Sequence, residues 1–350
     1  MKKHITIGMD VSDKKVDLCV INERGKVLDE RQVANTKRAL ERYFSKQPAA
    51  VIALEAGTHS MWQGELIESL GHKVLTGNPR RLRAIWTHER KSDARDAEML
   101  GRIARFDPAL LYPIRHRSAR AHRDLEEIKA RDQLVKCRRQ LLTHVRGAVK
   151  VHGARIPSCS PASFPARAAE ELPEELLGIL RPLLESIQQL TERIRQYERR
   201  IETLKIEYPE VERLCAIPGV GTLSALGFVL RLEDPHRFRN SRQVGAYLGL
   251  VPRRDQSGMQ EKQLSISKSG DALVRRLLVN CAQYILGPFG PDCELRRFGL
   301  RLIQRGGPKA KNRAVVSVAR KLAVLMHTLW TGDEPYNPLY QQQHQKQKAA

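Results

Sequence analysis

Apolar and polar positions alternate with a period of two from the start of the chain. Ile5, Ile7 and Met9 alternate with Thr6, Gly8 and Asp10, and Val16, Leu18 and Val20 alternate in the run Lys15 to Ile21. Both are strand patterns. Asn22-Glu23-Arg24-Gly25 reads as a turn and Lys26-Val27-Leu28 opens a third strand, so residues 4–33 predict a meander. Residues 36–46 follow a helical pattern. Ala50 to Glu55 is a continuous apolar run ending in a carboxylate, as expected of a buried parallel strand. A helix from Thr58 to Leu70, stopped by Gly71, and a short strand at 73–76 come next. Asn78-Pro79 then opens a mostly helical, arginine-rich stretch.

The period changes between residues 119 and 205. Leu176, Leu180, Leu183, Ile187, Leu190, Ile194, Tyr197, Ile201 and Leu204 are spaced alternately by four and three, a heptad seam. Pro182 predicts that this helix begins or bends there. A weaker seam runs through Leu125, Ile128, Val135, Leu142 and Val149, and Pro157 to Pro165 is a loop by composition. Two helices joined by such a loop predict an antiparallel hairpin; the seam could equally pair between subunits.

Ile217-Pro218-Gly219-Val220-Gly221-Thr222 opens a third region and leads into an apolar helix ending near Leu232. A helix, a Pro-Gly-x-Gly turn and a second helix is a helix-hairpin-helix signature. Gly219 and Gly221 would let backbone N–H groups face a phosphate; the competing reading is an ordinary tight turn. Residues 311–330 predict a closing amphipathic helix.

Three antiparallel strands followed by alternating helix and strand is the order of the ribonuclease H-like fold. The expected organisation is therefore an α/β ribonuclease H-like domain over 1–118 and a helical coiled-coil or hairpin connector over 119–205. A mostly α-helical C-terminal domain over 206–335 and a disordered tail over 336–350 complete it.

Composition narrows the function. Lys and Arg number 61 against 39 Asp and Glu, a net charge of +22, and each of the three regions is net basic. A polyanionic partner explains charge spread along the whole chain. No apolar run is long enough for a membrane span. Six cysteines without a C-x-x-C pair argue against disulfides or structural zinc and fit a reducing cytoplasm.

Four acids stand out by position. Asp10 ends the first strand, Glu55 ends the buried strand, and Asp93 and Asp96 lie one helical turn apart. In a ribonuclease H-like sheet the first and fourth strands are neighbours, so Asp10 and Glu55 would end side by side with the 93–96 helix across them. Converging carboxylates cannot all stay ionised without a cation. Mg²⁺, or Mn²⁺ in its place, is the natural hard ion for oxygen ligands. Two such ions about 3.5–4 Å apart would grip a scissile phosphate.

Gly8-Met9-Asp10-Val11-Ser12, Leu54-Glu55-Ala56-Gly57-Thr58 and Lys91-Ser92-Asp93-Ala94-Arg95-Asp96-Ala97 resemble the acidic motifs of the insertion-sequence-110, or DEDD, transposases. The Piv-type DNA invertases are related to these, and their N-terminal domain is similar to the RuvC junction resolvases. Ile217 to Gly221, Ala246 to Gly258 and Ile266 to Gly270 resemble the family's C-terminal half. The resemblance implies that Ser257 is a nucleophile forming a transient phosphoserine link. It implies a structured guide, the bridge RNA, that pairs with double-stranded target and donor DNA. It also implies a dimer or tetramer acting in a bacterial or archaeal cytoplasm. From the residues alone, Ser265, Ser267 and Ser269 are rivals to Ser257.

With base pairing supplying sequence choice, the protein would grip backbones. Arg80, Arg81, Arg83, Lys91, Arg120, Arg123, Arg253, Arg254, Lys262 and Lys268 are the candidate contacts, besides the Gly219 and Gly221 turn. Two other readings fit the residues: a junction endonuclease that uses the four acids and water, and a non-catalytic nucleic-acid-binding scaffold.

Overall fold

A computed structural model describes residues 5–82, 92–257 and 260–339. The chain divides into two compact units, Met1–His116 and Arg117–Ala350.

The first unit is built on a five-stranded sheet: β1 (Ile5–Val11), β2 (Lys15–Ile21), β3 (Val27–Ala34), β4 (Ala50–Glu55) and β5 (Lys73–Gly77), in the order β3-β2-β1-β4-β5. The meander is antiparallel, whereas β4 and β5 run parallel to β1, a mixed sheet compatible with the ribonuclease H-like expectation. The expected helices are α1 (Lys37–Phe44), capped by the Thr36 hydroxyl, and α2 (Ser60–Ser69). After β5 come α3 (Pro79–Leu82) and α4 (Asp93–Phe106).

Alternation divides the sheet into two faces. Ile7, Met9, Val16, Leu18, Ile52 and Leu54 bury one face together with Leu40, Phe44 and Ile67 of α1 and α2. The other face is floored by the small residues Gly8, Cys19 and Ala53, and α4 packs there through Ala97, Leu100 and Ala104. The fit is backbone against backbone: a Cβ built on Gly8 would stand 1.8 Å from the Ala97 carbonyl oxygen and 2.5 Å from the Gly101 nitrogen.

In the second unit, α5 (Ala119–Val151) is 33 residues long, about 50 Å at the helical rise. It is followed by α6 (Phe164–Glu171) and α7 (Glu174–Leu204). Ion pairs Arg200–Glu127 and Arg131–Glu198, and the bond Arg138 to Thr191, step backwards along the two long helices. The seam therefore closes as an antiparallel hairpin within one chain.

Two details depart from the heptad reading. Helix α7 starts at Glu174 and runs through Pro182, where the carbonyl deprived of a donor belongs to solvent-exposed Gly178. Water can satisfy that carbonyl, so the proline is tolerated. The buried stripe then follows Leu180, Leu184, Ile187, Thr191 and Ile194, leaving Leu183 and Leu190 half-buried. Inside the stripe Thr191 donates its hydroxyl to the Ile187 carbonyl and accepts from Arg138.

The remaining helices are α8 (Glu210–Cys215), α9 (Thr222–Leu232), α10 (Arg242–Tyr247), α11 (Ala272–Leu286), α12 (Glu294–Gln304) and α13 (Ala310–Thr331). A hairpin of β6 (Pro252–Ser257) and β7 (Gln260–Ile266) lies between α10 and α11. The core of this unit gathers apolar side chains of α9, α11 and α13, with Leu125 and Ile128 from α5. All six cysteines are free. Tyr336 packs on this core and the Pro338 carbonyl accepts from the Glu294 backbone N–H, so ordered chain continues past the expected start of the tail. The rest of the tail, 340–350, lies outside the described residues. Among the described residues no helix is long and apolar enough to cross a membrane.

Candidate active-site carboxylates and nucleic-acid contacts

The face of the sheet that carries Gly8 also carries the acids. Asp10 follows Gly8 by two on β1, and Glu55 follows Ala53 by two on β4. Met9 pairs with Leu54, which brings Asp10 and Glu55 to the same level on adjacent parallel strands. The first turn of α4 adds Asp93 and Asp96, with Ser92 capping the helix by accepting from the Arg95 N–H. Acids at a helix N-terminus are stabilised by its unpaired N–H groups.

These groups share one electrostatic field. The Asp10 carboxyl is pushed up to about 6, first by burial and then by the charges of Asp96, Asp93, Asp17 and Glu55. Asp17 is a fifth acid that the motifs do not contain. It lies directly opposite Asp10 in the β1–β2 register, on the same face, where Gln32 donates to it at 3.0 Å. The hairpin register, in which Val11 faces Val16, is what brings it there. Lys15 answers part of the negative charge, with Nζ 3.2 Å from Asp93 and 3.6 Å from Asp17.

Carboxylate oxygens are the donor type a hard divalent cation takes, and an acid left partly protonated by its neighbours is one a cation would relieve. Among the described residues, however, no three acid, imidazole or thiol groups stand close enough together to hold a metal ion. The side chains point into a common field without forming a closed cage.

Ser257 ends β6 and pairs with Gln260 across the hairpin. The base of the hairpin is tightly built. Gly249 and Gly270 both have left-handed backbone, φ 70° and 76°. A Cβ on Gly249 would stand 2.1 Å from the Ser269 carbonyl oxygen, and one on Gly270 would stand 2.0 Å from that of Tyr247. Arg275 fastens the same two segments by donating to the carbonyls of Leu248 and Ser269. The hydroxyls of Ser267 and Ser269 bond to each other at 2.8 Å in this base, whereas Ser265 is exposed on β7.

The expected backbone contacts divide into several groups. Arg80 and Arg81 are exposed on α3, with the Arg81 guanidinium over the Tyr112 ring. Arg83 and Lys91 lie outside the described residues, as do the side chains of Arg254 and Lys262. Arg253 and Lys268 are exposed. Arg120 is engaged by Glu207 and Asp124 and lies over the Tyr208 ring, while Arg123 is three-quarters exposed beside Asp124. In the Pro-Gly-x-Gly turn, the place of a Cβ on Gly219 is taken by Tyr284 and the Cys281 carbonyl, so that glycine serves packing against α11. Gly221 has open space and precedes the N-terminus of α9, which has no side-chain cap.

Sequence comparison accords with this arrangement. Residues 7–152 match a DEDD transposase profile of the IS110 type, and residues 211–292 match the profile of the IS116/IS110/IS902 transposase family. The chain is 30% identical over 342 residues to a probable family 20 transposase of Pseudomonas aeruginosa, covering 95% of this chain and 98% of the relative. It is 29% identical over 350 residues to the transposase for insertion sequence element IS1111A of Coxiella burnetii, covering 96% and 92%. A pilin gene-inverting protein of Moraxella bovis is 29% identical over 125 residues, 35% of this chain and 38% of that protein. The chain belongs to the IS110 family of DEDD transposases.

Proposed function

We propose that this transposase cuts and rejoins DNA strands by two chemical elements acting on the same phosphodiester. The first is a divalent-metal site held by Asp10, Glu55, Asp93 and Asp96; the second is the Ser257 hydroxyl. Bound Mg²⁺, or Mn²⁺, would polarise the phosphate and offset charge on the leaving oxygen. Ser257 Oγ attacks phosphorus, the 3′ oxygen leaves with a proton, and a phosphoserine link replaces the broken bond. A hydroxyl of the exchanged strand then attacks that link and returns the proton to serine. Each step trades one phosphodiester for another, so no ATP is consumed.

The same reading gives the protein a bridge RNA that chooses target and donor DNA by pairing, and an assembly of at least two subunits for synapsis. The exposed arginines Arg80, Arg81, Arg123 and Arg253, with Lys268 and the open Gly221 turn, are then backbone contacts. Three regions, 1–118, 119–205 and 206–335, carry cleavage, connection and serine chemistry in this scheme.

The observation that carries the metal half is the register that sets Asp10 and Glu55 level on adjacent strands, where burial first and then the charges of Asp96, Asp93, Asp17 and Glu55 raise the Asp10 carboxyl. The test incubates protein, Mg²⁺, RNA transcribed from the DNA flanking the element, and target duplex. A strand covalently attached to protein is expected, absent with Ser257→Ala, with Asp10→Asn or in EDTA, while DNA binding survives. Cleavage without an adduct would assign the attack to water, and full turnover in EDTA would remove the metal.

A further inference from the structure

Two arginines of the second unit lie over the Tyr247 ring, and a third stands within their electrostatic reach. The Arg237 guanidinium lies 4.6 Å from the Tyr247 ring centroid and that of Arg231 lies 5.6 Å from it. Arg117 belongs to the same group: its guanidinium is disfavoured by burial and by the neighbouring charge of Arg231, and is supported by Tyr247, Asp271 and Glu233. Like charges do not gather in a half-buried place without something to hold them.

The internal counter-charges fall short. Asp271 stands 3.6 Å from Arg231 Nε, beyond a hydrogen bond, and it already caps α11 by accepting from the N–H groups of Leu273 and Val274. Glu233 is committed elsewhere: both its carboxylate oxygens accept from the Ser118 N–H, at 2.9 and 3.2 Å. Its backbone is left-handed, φ 61°, a conformation costly for a residue with a side chain. The three cations thus have two carboxylates near them, with one oxygen of Asp271 and both of Glu233 already accepting from backbone N–H groups. Among the described residues the Nε atoms of both Arg117 and Arg231 are buried and make no hydrogen bond. A buried donor left unpaired is expensive. Arg231 nevertheless keeps 21% of its side chain exposed, so the group can be reached from solvent.

We propose that Arg231 and Arg237, held over Tyr247, form with neighbouring Arg117 a binding site for a backbone phosphate of nucleic acid. Guanidinium forks match the oxygens of a phosphodiester, and stacking on an aromatic ring fixes their plane beforehand. The phosphate would supply the missing charge and the acceptors for both Nε–H groups. The inference rests on the nucleic-acid function proposed above, but not on its chemistry.

The test measures equilibrium binding of the full chain in EDTA, where cleavage plays no part, as a function of salt. One arm uses a 30-base-pair duplex DNA and the other a structured RNA hairpin of equal charge. Arg237→Gln is the principal variant, since that side chain is held by rings and a change there spares the Arg231–Asp271 pair; Arg231→Gln is the second. Exposed Arg181 on α7 provides the control, as Arg181→Gln. Arg237→Gln is expected to weaken binding about tenfold near physiological salt and to lower the salt slope by about 1. Arg237→Lys should recover part of the affinity. Unchanged melting temperature in Arg237→Gln establishes that the loss is in binding. The arm in which the loss appears names the nucleic acid, DNA or RNA. No loss in either arm, or an equal loss with Arg181→Gln, overturns the site. Because adduct formation is not read, this outcome is independent of whether Ser257 is the nucleophile.

Discussion

The carboxylates of the first unit and the serine segment of the second are both positioned by glycines, but in different ways. Gly8 sits in a strand with ordinary backbone, and its lack of a side chain lets α4 lie directly on β1. Gly249 and Gly270 also permit a close approach, but their backbones are left-handed as well. The acids are therefore set by regular elements whose register is enforced by a buried face. The hairpin carrying Ser257 is set by two irregular segments that only glycine can join. A site on strands and a helix inherits the rigidity of the core, whereas a hairpin on a glycine-built base inherits only what that base supplies.

The largest effect is expected where conformation and space are both violated. Gly270→Ala puts a Cβ on a left-handed residue, costing about 1–2 kcal/mol, and drives it into the Tyr247 carbonyl, adding about 1–3 kcal/mol. Hydrogen exchange should accelerate through residues 247–270 while β1 and α4 keep their protection. Uniform protection, or acceleration in β1, would break the contrast. Gly8→Ala violates space alone and should cost about 1–3 kcal/mol. Its acceleration should fall in β1 and α4. Adduct formation should drop as well, because Asp93 and Asp96 ride on the helix that must shift. An active, fully protected Gly8→Ala protein would show that α4 does not need this contact.

Much of the first unit was legible because its elements are short and two-sided. Alternation in Ile5–Val11 and Lys15–Ile21 announces both the strands and their faces, and the acids then follow by parity. Asp17 was overlooked because it lies outside any motif; only the pairing register brings it opposite Asp10. The long helices were legible as a pair and illegible in detail. A spacing of four and three selects Leu183 and Leu190, whereas the stripe turned inward contains Leu184 and Thr191. A threonine can be buried there because a helix carbonyl and an arginine serve its hydroxyl, which no hydropathy pattern encodes. Least legible was the arginine group, since Arg117, Arg231 and Arg237 come together only through tertiary packing around Tyr247.

The smallest effect sharpens the electrostatic side of the comparison. Asp10 titrates near 6 in the folded protein against 3.8 for a free side chain, so the folded state holds its proton more tightly than the unfolded chain. Stability must then fall as pH rises from about 4 to about 6, and stay level above, for this one group. Asp10→Asn removes that term. The useful quantity is the melting temperature of the variant minus that of the wild type, measured without metal, because other acids titrate in the same range and cancel. The difference should be near zero at pH 4 and grow to a few degrees in favour of the variant by pH 7, on the order of 1 kcal/mol after solvent screening is allowed for. Adding Mg²⁺ at pH 7 should stabilise the wild type and leave the variant nearly unchanged, closing the gap. A difference that is flat with pH would mean that neither burial nor the neighbouring acids raise the Asp10 carboxyl. A gap that Mg²⁺ leaves open would mean that the loaded carboxylates do not take the ion.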